Sequence, residues 1–172
     1  MPSSAGLFRL AIALLVAATL SWPLPARAAE PLQADRIVVL KVQRELRLLH
    51  DGAVIKSYPI GLGPHPKGAK RRKGDGRTPE SVYVIDWRTS RTPFHRALHI
   101  SYPRPQDLAR ARAAHQEPGG AIYIHGMPRW YGHLDPVRFF VDWTDGCIAV
   151  GNIAIEEIWN AVPDGTAIEI RP

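Results

Sequence analysis

Residues 36–60 read RIVVLKVQRELRLLHDGAVIKSYPI, and this stretch decides the fold class. Arg36 to Val42 and Glu45 to Leu49 carry branched and alternating apolar residues, the pattern of strands that bury at least one face. Asp51-Gly52 stands between the second run and a third, Ala53 to Ile60. An Asp-Gly pair suits a two-residue hairpin turn because that turn needs a positive φ at both positions. The stretch therefore predicts three short strands with a hairpin between the last two.

The same reading extends outward. Gly61-Leu62-Gly63-Pro64 breaks the third strand, and Lys67 to Arg77, KGAKRRKGDGR, follows as a Gly-rich basic run suited to a solvated loop. Its charge would also steer an anionic polymer towards the protein. Ser81 to Ile85 and Leu98 to Tyr102 read as further strands, the latter ended by Pro103 and Pro105. Asp107 to Gln116 reads as a helix stopped by Glu117-Pro118-Gly119-Gly120. Ala121 to Ile124 forms a short buried strand that delivers His125-Gly126 at its end, and Met127 to Asp142 is aromatic and irregular. Asn152 is placed to cap a helix from Ile153 to Ala161 with Ile155, Ile158, Trp159 and Val162 on one face. Pro163-Asp164-Gly165 then turns into a final strand, Thr166 to Ile170. Many short strands with one or two small helices make a mostly β domain.

The N-terminus fixes the expected compartment. Arg9 precedes an apolar run from Leu10 to Leu20, and Ala26-Arg27-Ala28 fits a small-x-small cleavage site, so residues 1–28 read as a secretory signal peptide. The run is too short to span a bilayer. No cysteine follows it for lipid attachment, so residues 29–172 are expected as one exported domain without stable membrane insertion. Removing the signal takes two arginines and no acid from the 22 basic and 16 acidic residues, leaving a mildly basic chain. Export, a single basic cluster and the lack of interleaved aromatics argue against nucleic acid as a partner.

In that compartment one cysteine cannot form an intramolecular disulfide. Cys147, in the stretch WTDGCIAV (Trp143 to Val150), is then a buried inert thiol, an intermolecular bridge or a reactive sulfur. His125 lies 22 residues earlier at a strand end, and Cys147 opens an apolar segment of its own, so two adjacent strand ends would bring imidazole and thiol together. An imidazole can take the thiol proton and so generate the attacking thiolate. Gly146 lets the backbone turn tightly, and amides around Asp145, Gly146 and Cys147 are candidate donors to a developing oxyanion. His133 is a second candidate base, and His99, alternating within a strand, suits a hydrogen-bonded structural role. Trp130, Tyr131 and Trp143 suit either a substrate groove or the core, and Asp145 suits either a tuning role or a simple turn.

The ordered series Gly61–Gly63 (GLG), Gly74–Glu80 (GDGRTPE), Leu98–Pro103 (LHISYP), Ile124–Gly126 (IHG), Asp145–Ile148 (DGCI) and Gly165–Ile170 (GTAIEI) resembles the YkuD-type L,D-transpeptidase catalytic domain. The likeness spans about Asp35 to Arg171. It implies a YkuD-like β-sandwich or barrel-type fold. It also implies an enzyme in which a cysteine attacks the stem peptide of peptidoglycan, forms a thioester and passes the acyl group to an amine, with no cofactor and no metal. By that resemblance Cys147 is the nucleophile, His125 the base, Gly126 the glycine of the His-Gly step, where a backbone carbonyl orients the imidazole, and Gly146 the glycine of the Gly-Cys step. Carbapenem-type β-lactams are implied to acylate the same sulfur, in the periplasm or cell envelope.

Two departures qualify the likeness. Many members read Ser-His-Gly-Cys followed, after one apolar residue, by Arg or Asn, whereas this chain has Thr144-Asp145-Gly146-Cys147-Ile148-Ala149. A substrate carboxylate must then be met elsewhere, by Arg129, Arg138 or the basic loop. Thr78-Pro79-Glu80 is followed by Ser81 where Gly is usual. These features resemble a divergent branch in which hydrolysis of peptidoglycan bonds, or of a protein-to-peptidoglycan link, is the alternative to transfer. Two other readings belong to different classes: a zinc site built from His125, His133 and Cys147 with Asp135 or Asp145, and a noncatalytic cell-wall binding module.

Overall fold

The computed structural model describes residues 33–129 and 142–172. The expected signal peptide, Trp130, Tyr131, His133, Asp135 and Arg138 lie outside those residues. Eight strands and two helices follow in chain order among the described residues. They are β1 (Arg36–Leu40), β2 (Glu45–His50), β3 (Ala53–Pro59), β4 (Ser81–Thr89), β5 (Ala97–Ile100), α1 (Pro105–Ala113), β6 (Tyr123–His125), β7 (Ile148–Ala149), α2 (Asn152–Ala161) and β8 (Ala167–Arg171).

The opening stretch forms β1, β2 and β3 as an antiparallel meander, and Asp51 and Gly52 take φ of 49° and 78° in the turn between β2 and β3. β1 is paired on both edges, antiparallel to β2 and parallel to β8. Its apolar run is accordingly buried, with Ile37 and Val39 wholly inaccessible. β2 instead alternates, burying Leu46 and Leu48.

The eight strands make one curled sheet in the order β3-β2-β1-β8-β4-β5-β6-β7. Its two ends approach each other just beyond β3, where the amides of Gly61 and Ala149 each donate to the other's carbonyl at 2.9 Å. Inside the curl, Tyr83, Ile85, Leu98, Ile124, Ile148, Ile168 and the α2 residues Ile155 and Ile158 share one core cluster.

Element ends shift by a few residues, with α1 stopping at Ala113 and β6 running Tyr123–His125, and three of the changes have a visible cause. β4 continues four residues past Ile85 because a register shift between Ile85 and Trp87 lets the strand keep pairing with β5. α1 begins at Pro105, whose missing N–H costs nothing in a first helical turn. The cap of α2 is Gly151, while Asn152 lies inside the helix and its Oδ1 accepts from the Met127 amide at 2.9 Å.

Candidate active site

β6 and β7 are adjacent and parallel, with Ile124 opposite Ile148 and His125 opposite Ala149. One residue earlier, the same register sets Cys147 level with Tyr123. Side chains alternate along each strand, so Ile124 and Ile148 point into the core while Tyr123, His125 and Cys147 share the other face. His125 and Cys147 thus stand diagonally on neighbouring strands. β7 is held on its far side by Gly61 and at its end by Val150, whose amide donates to the His125 carbonyl at 2.9 Å.

His125 is 2% exposed. Its Nδ1 lies 2.7 Å from the Gly126 carbonyl. A carbonyl can only accept, so Nδ1 carries the proton, and burial holds the imidazole neutral by pushing its pKa down from 6.5 to about 4. Nε2 is therefore the lone-pair nitrogen. Phe94 stacks on the ring at 4.0 Å between centroids, and Trp143 meets it edge-on at 5.6 Å. Gly126 allows this geometry because a Cβ there would stand 2.8 Å from Asn152 Oδ1 and 2.9 Å from Ile155 Cγ2.

The Cys147 thiol is half-buried, and desolvation pushes its pKa up to about 11. It rests as S–H, directed at the Ala121 carbonyl 3.6 Å away. Ala121 takes a left-handed φ of 53°. Against the desolvation work a backbone hydrogen bond from Tyr123 and the charge of Lys70, both of which favour thiolate.

The turn before the sulfur is tightly fixed. Gly146 has φ of 116°, and a Cβ on it would stand 2.3 Å from the Arg77 carbonyl, so both the conformation and the approach require glycine. Thr144 Oγ1 donates to the Cys147 carbonyl at 2.8 Å and accepts from the Gly146 amide at 3.2 Å. The Gly146 amide is thereby occupied, which leaves those of Cys147 and Asp145 as the turn's candidate oxyanion donors. The Asp145 side chain is exposed.

Arg129 is exposed, and its guanidinium donates to the Ser90 carbonyl at 3.0 Å. Trp143 is half-buried beside His125 rather than in the core cluster. A row of rings reaches the thiol that the sequence did not suggest: Trp87 opposes His99, and His99 opposes Tyr123, across β4, β5 and β6. Trp87 stacks on His99 at 4.9 Å, and His99 is anchored by Asp86 at 2.6 Å.

Most of the basic run is solvated as expected, with Lys67, Arg71, Arg72 and Lys73 exposed, but one of its lysines turns inward. Lys41 and Lys70 are each 2% exposed. Lys41 Nζ donates to the carbonyls of Gly68 and Thr78 and to Glu80 Oε1, at 2.8, 3.3 and 2.7 Å. His65, Arg71, Arg72, Asp75 and Arg77 line a cleft in this loop. Among the described residues, no three His, Cys, Asp or Glu side chains converge as metal ligands would, although His133 and Asp135 fall outside that set.

Residues 34–170 match the family model of the YkuD L,D-transpeptidase catalytic domain. YafK of Escherichia coli (strain K12) is 31% identical over 126 residues, an alignment covering 72% of this chain and 41% of YafK. The chain thus spans about two fifths of that relative's length. Among solved structures, the helical cell shape determining protein Pgp2 of Campylobacter jejuni superposes with a TM-score of 0.60 at 24% identity, over 78% of this chain and 46% of Pgp2. The L,D-transpeptidase of Xylanimonas cellulosilytica does so with a TM-score of 0.53 at 16% identity, over 83% and 62%. These structural likenesses bear on the fold, whereas the family match runs through the strand ends that carry His125 and Cys147. The chain belongs to the YkuD family of L,D-transpeptidase catalytic domains.

Proposed function

We propose that this protein is an exported, cysteine-dependent L,D-transpeptidase of the periplasm or cell envelope that acts on peptidoglycan stem peptides, with Cys147 as nucleophile and His125 as base. The observation that carries the reading is the placement of the pair on adjacent parallel strand ends, with the imidazole oriented by the Gly126 carbonyl. A neutral imidazole with Nδ1–H held by the Gly126 carbonyl offers Nε2 as a base, and the chain's single thiol rests protonated one strand away.

With both groups neutral, the reaction begins with general-base catalysis rather than from a preformed ion pair. As Sγ attacks the donor carbonyl carbon, the thiol proton passes to Nε2. The negative charge on the carbonyl oxygen is met by the amides of Cys147 and Asp145. Collapse breaks the C–N bond, and the imidazolium returns the proton to the leaving amine, which leaves a thioester on Cys147. An acceptor amine then attacks the thioester, losing its proton to Nε2 while Sγ leaves and is reprotonated. Water in place of the amine gives hydrolysis by the same steps. Trp143 beside the imidazole and Tyr123 beside the thiol, the latter continued by His99 and Trp87, are the surfaces offered to the donor peptide. A substrate carboxylate is met by the cleft of Arg71, Arg72 and Arg77. Neither cofactor nor metal takes part. Carbapenems acylate the same sulfur.

The test is intact-protein mass spectrometry of the protein incubated with disaccharide-tetrapeptide, with and without an amine acceptor, alongside product analysis. An adduct on Cys147 with exchanged or cross-linked products supports transfer. Shortened stems alone assign hydrolysis, and a Cys147→Ala protein with full activity on purified sacculi refutes the cysteine mechanism.

A further inference from the structure

Lys70 is a buried cation that the reaction above leaves unused. Its Nζ is paired with Asp75 Oδ1 at 3.0 Å and lies 3.5 Å from the carbonyl oxygen of Asp145, at the long end of hydrogen bonding. Asp75 is itself pinned by the amides of Arg71, Arg72 and Arg77 at 2.7, 3.1 and 3.1 Å. The lysine backbone is fixed as well, its amide donating to Thr78 and its carbonyl accepting from Arg110, both at 3.2 Å. Burying an ammonium is costly unless it is paired and hydrogen-bonded. Here those requirements are met by a loop folded against the nucleophile turn, with the Arg77 carbonyl packed onto Gly146.

The carbonyl oxygen of Asp145 and the N–H of Gly146 belong to one peptide plane. Lys70 Nζ approaches its oxygen end, and Thr144 Oγ1 holds its N–H end at 3.2 Å. Rotation of that plane would swing the next amide, that of Cys147, away from a developing oxyanion. We propose that Lys70 is the positioning residue of the nucleophile turn: its ammonium fixes the Asp145–Gly146 peptide and supplies the positive charge that this chain's cysteine motif lacks. The inference rests on the reading of Cys147 as nucleophile. The direction of the lysine's influence on the sulfur agrees, since its charge favours thiolate.

The test is the rate of Cys147 alkylation by iodoacetamide at pH 8, read from intact mass, in the purified wild-type protein and in Lys70→Met and Lys70→Arg variants. Because Cys147 is the chain's one cysteine, a single mass shift reports it. Lys70→Met is expected to react about tenfold more slowly, equivalent to a rise of about one pH unit in the thiol midpoint. Lys70→Arg, which keeps the charge, should remain within about threefold of wild type. Loosening of a merely structural contact would expose the thiol and speed the reaction. A cooperatively melting Lys70→Met protein that alkylates at the wild-type rate or faster overturns the inference. If that variant does not fold, Lys70→Gln decides, because it keeps an N–H donor for the Asp145 carbonyl but removes the charge. Alkylation at least about threefold slower than in Lys70→Arg supports the role, and an equal or faster rate refutes it. Alkylation needs no peptidoglycan, so failure of this inference and failure of the enzyme reading are separable.

Discussion

Acid should destabilise this protein through His125, and the effect can be isolated by His125→Asn at two pH values. The imidazole is 2% exposed and neutral in the fold, with its pKa pushed from 6.5 down to about 4 by burial. Above about pH 6.5 the ring is neutral whether the chain is folded or unfolded, and it contributes no pH dependence. Below that value the unfolded chain takes up a proton that the folded chain resists. Stability is therefore lost as the pH falls from about 6.5 to about 4, and the loss levels off below. A gap of about 2.5 pH units at about 1.4 kcal/mol each sets a ceiling of about 3 kcal/mol, of which about 2 kcal/mol falls between pH 7 and pH 4.5. Asn retains a side-chain N–H for the Gly126 carbonyl but has no titrating group in this range. The carboxylates that also titrate are common to both proteins and cancel in the comparison. Urea unfolding followed by tryptophan fluorescence at the two pH values should show wild type losing about 2 kcal/mol more than the variant. Parallel losses, within about 0.5 kcal/mol, would show that the folded imidazole is not held neutral by burial, and the general-base reading would lose its basis.

Three further outcomes follow from the site and its core. Gly146→Ala forces a Cβ to 2.3 Å from the Arg77 carbonyl at a φ of 116°. It should lower stability by at least about 2 kcal/mol and suppress the Cys147 adduct in the mass assay. Thr144→Val removes the hydroxyl joining the Gly146 amide to the Cys147 carbonyl, and leaving those buried groups unmatched should cost about 1–3 kcal/mol in denaturant unfolding. Adduct formation in that variant should slow by about tenfold, an outcome that tests whether the turn must be held for acylation. Ile124→Ala empties a fully inaccessible position between β5 and β7 and should cost about 2–5 kcal/mol, read from the shift in urea midpoint at an unchanged slope.

Much of this architecture was legible because its signals are local. The Asp51-Gly52 pair marks its hairpin through the φ values that only such residues take easily, and the β1 run announces a strand buried on both faces. The α2 helix was legible from the 3.6-residue spacing of Ile155, Ile158 and Val162, all inaccessible in the fold. Its cap was not, because Asn152 satisfies the Met127 amide, a partner 25 residues away that no local pattern announces. The end of β4 was missed for a similar reason: its last residues are held by β5 across a register shift rather than by their own alternation.

By itself the sequence determined the mostly β class, the single thiol and the family likeness through strand-end motifs, since each depends on residue types at short spacing. Which face His125 presents, which of its nitrogens is free and how deeply it is buried were decided only by the pairing of β6 with β7 and the packing of Phe94 and Trp143. The basic run shows the same division. Its composition reads as solvated charge, yet Lys70 is enclosed because Asp75, Thr78, Arg110 and the Asp145 carbonyl converge on it in space. A cation's cost depends on its partners and on the water it loses, and both are set by tertiary contacts rather than by neighbours in the chain.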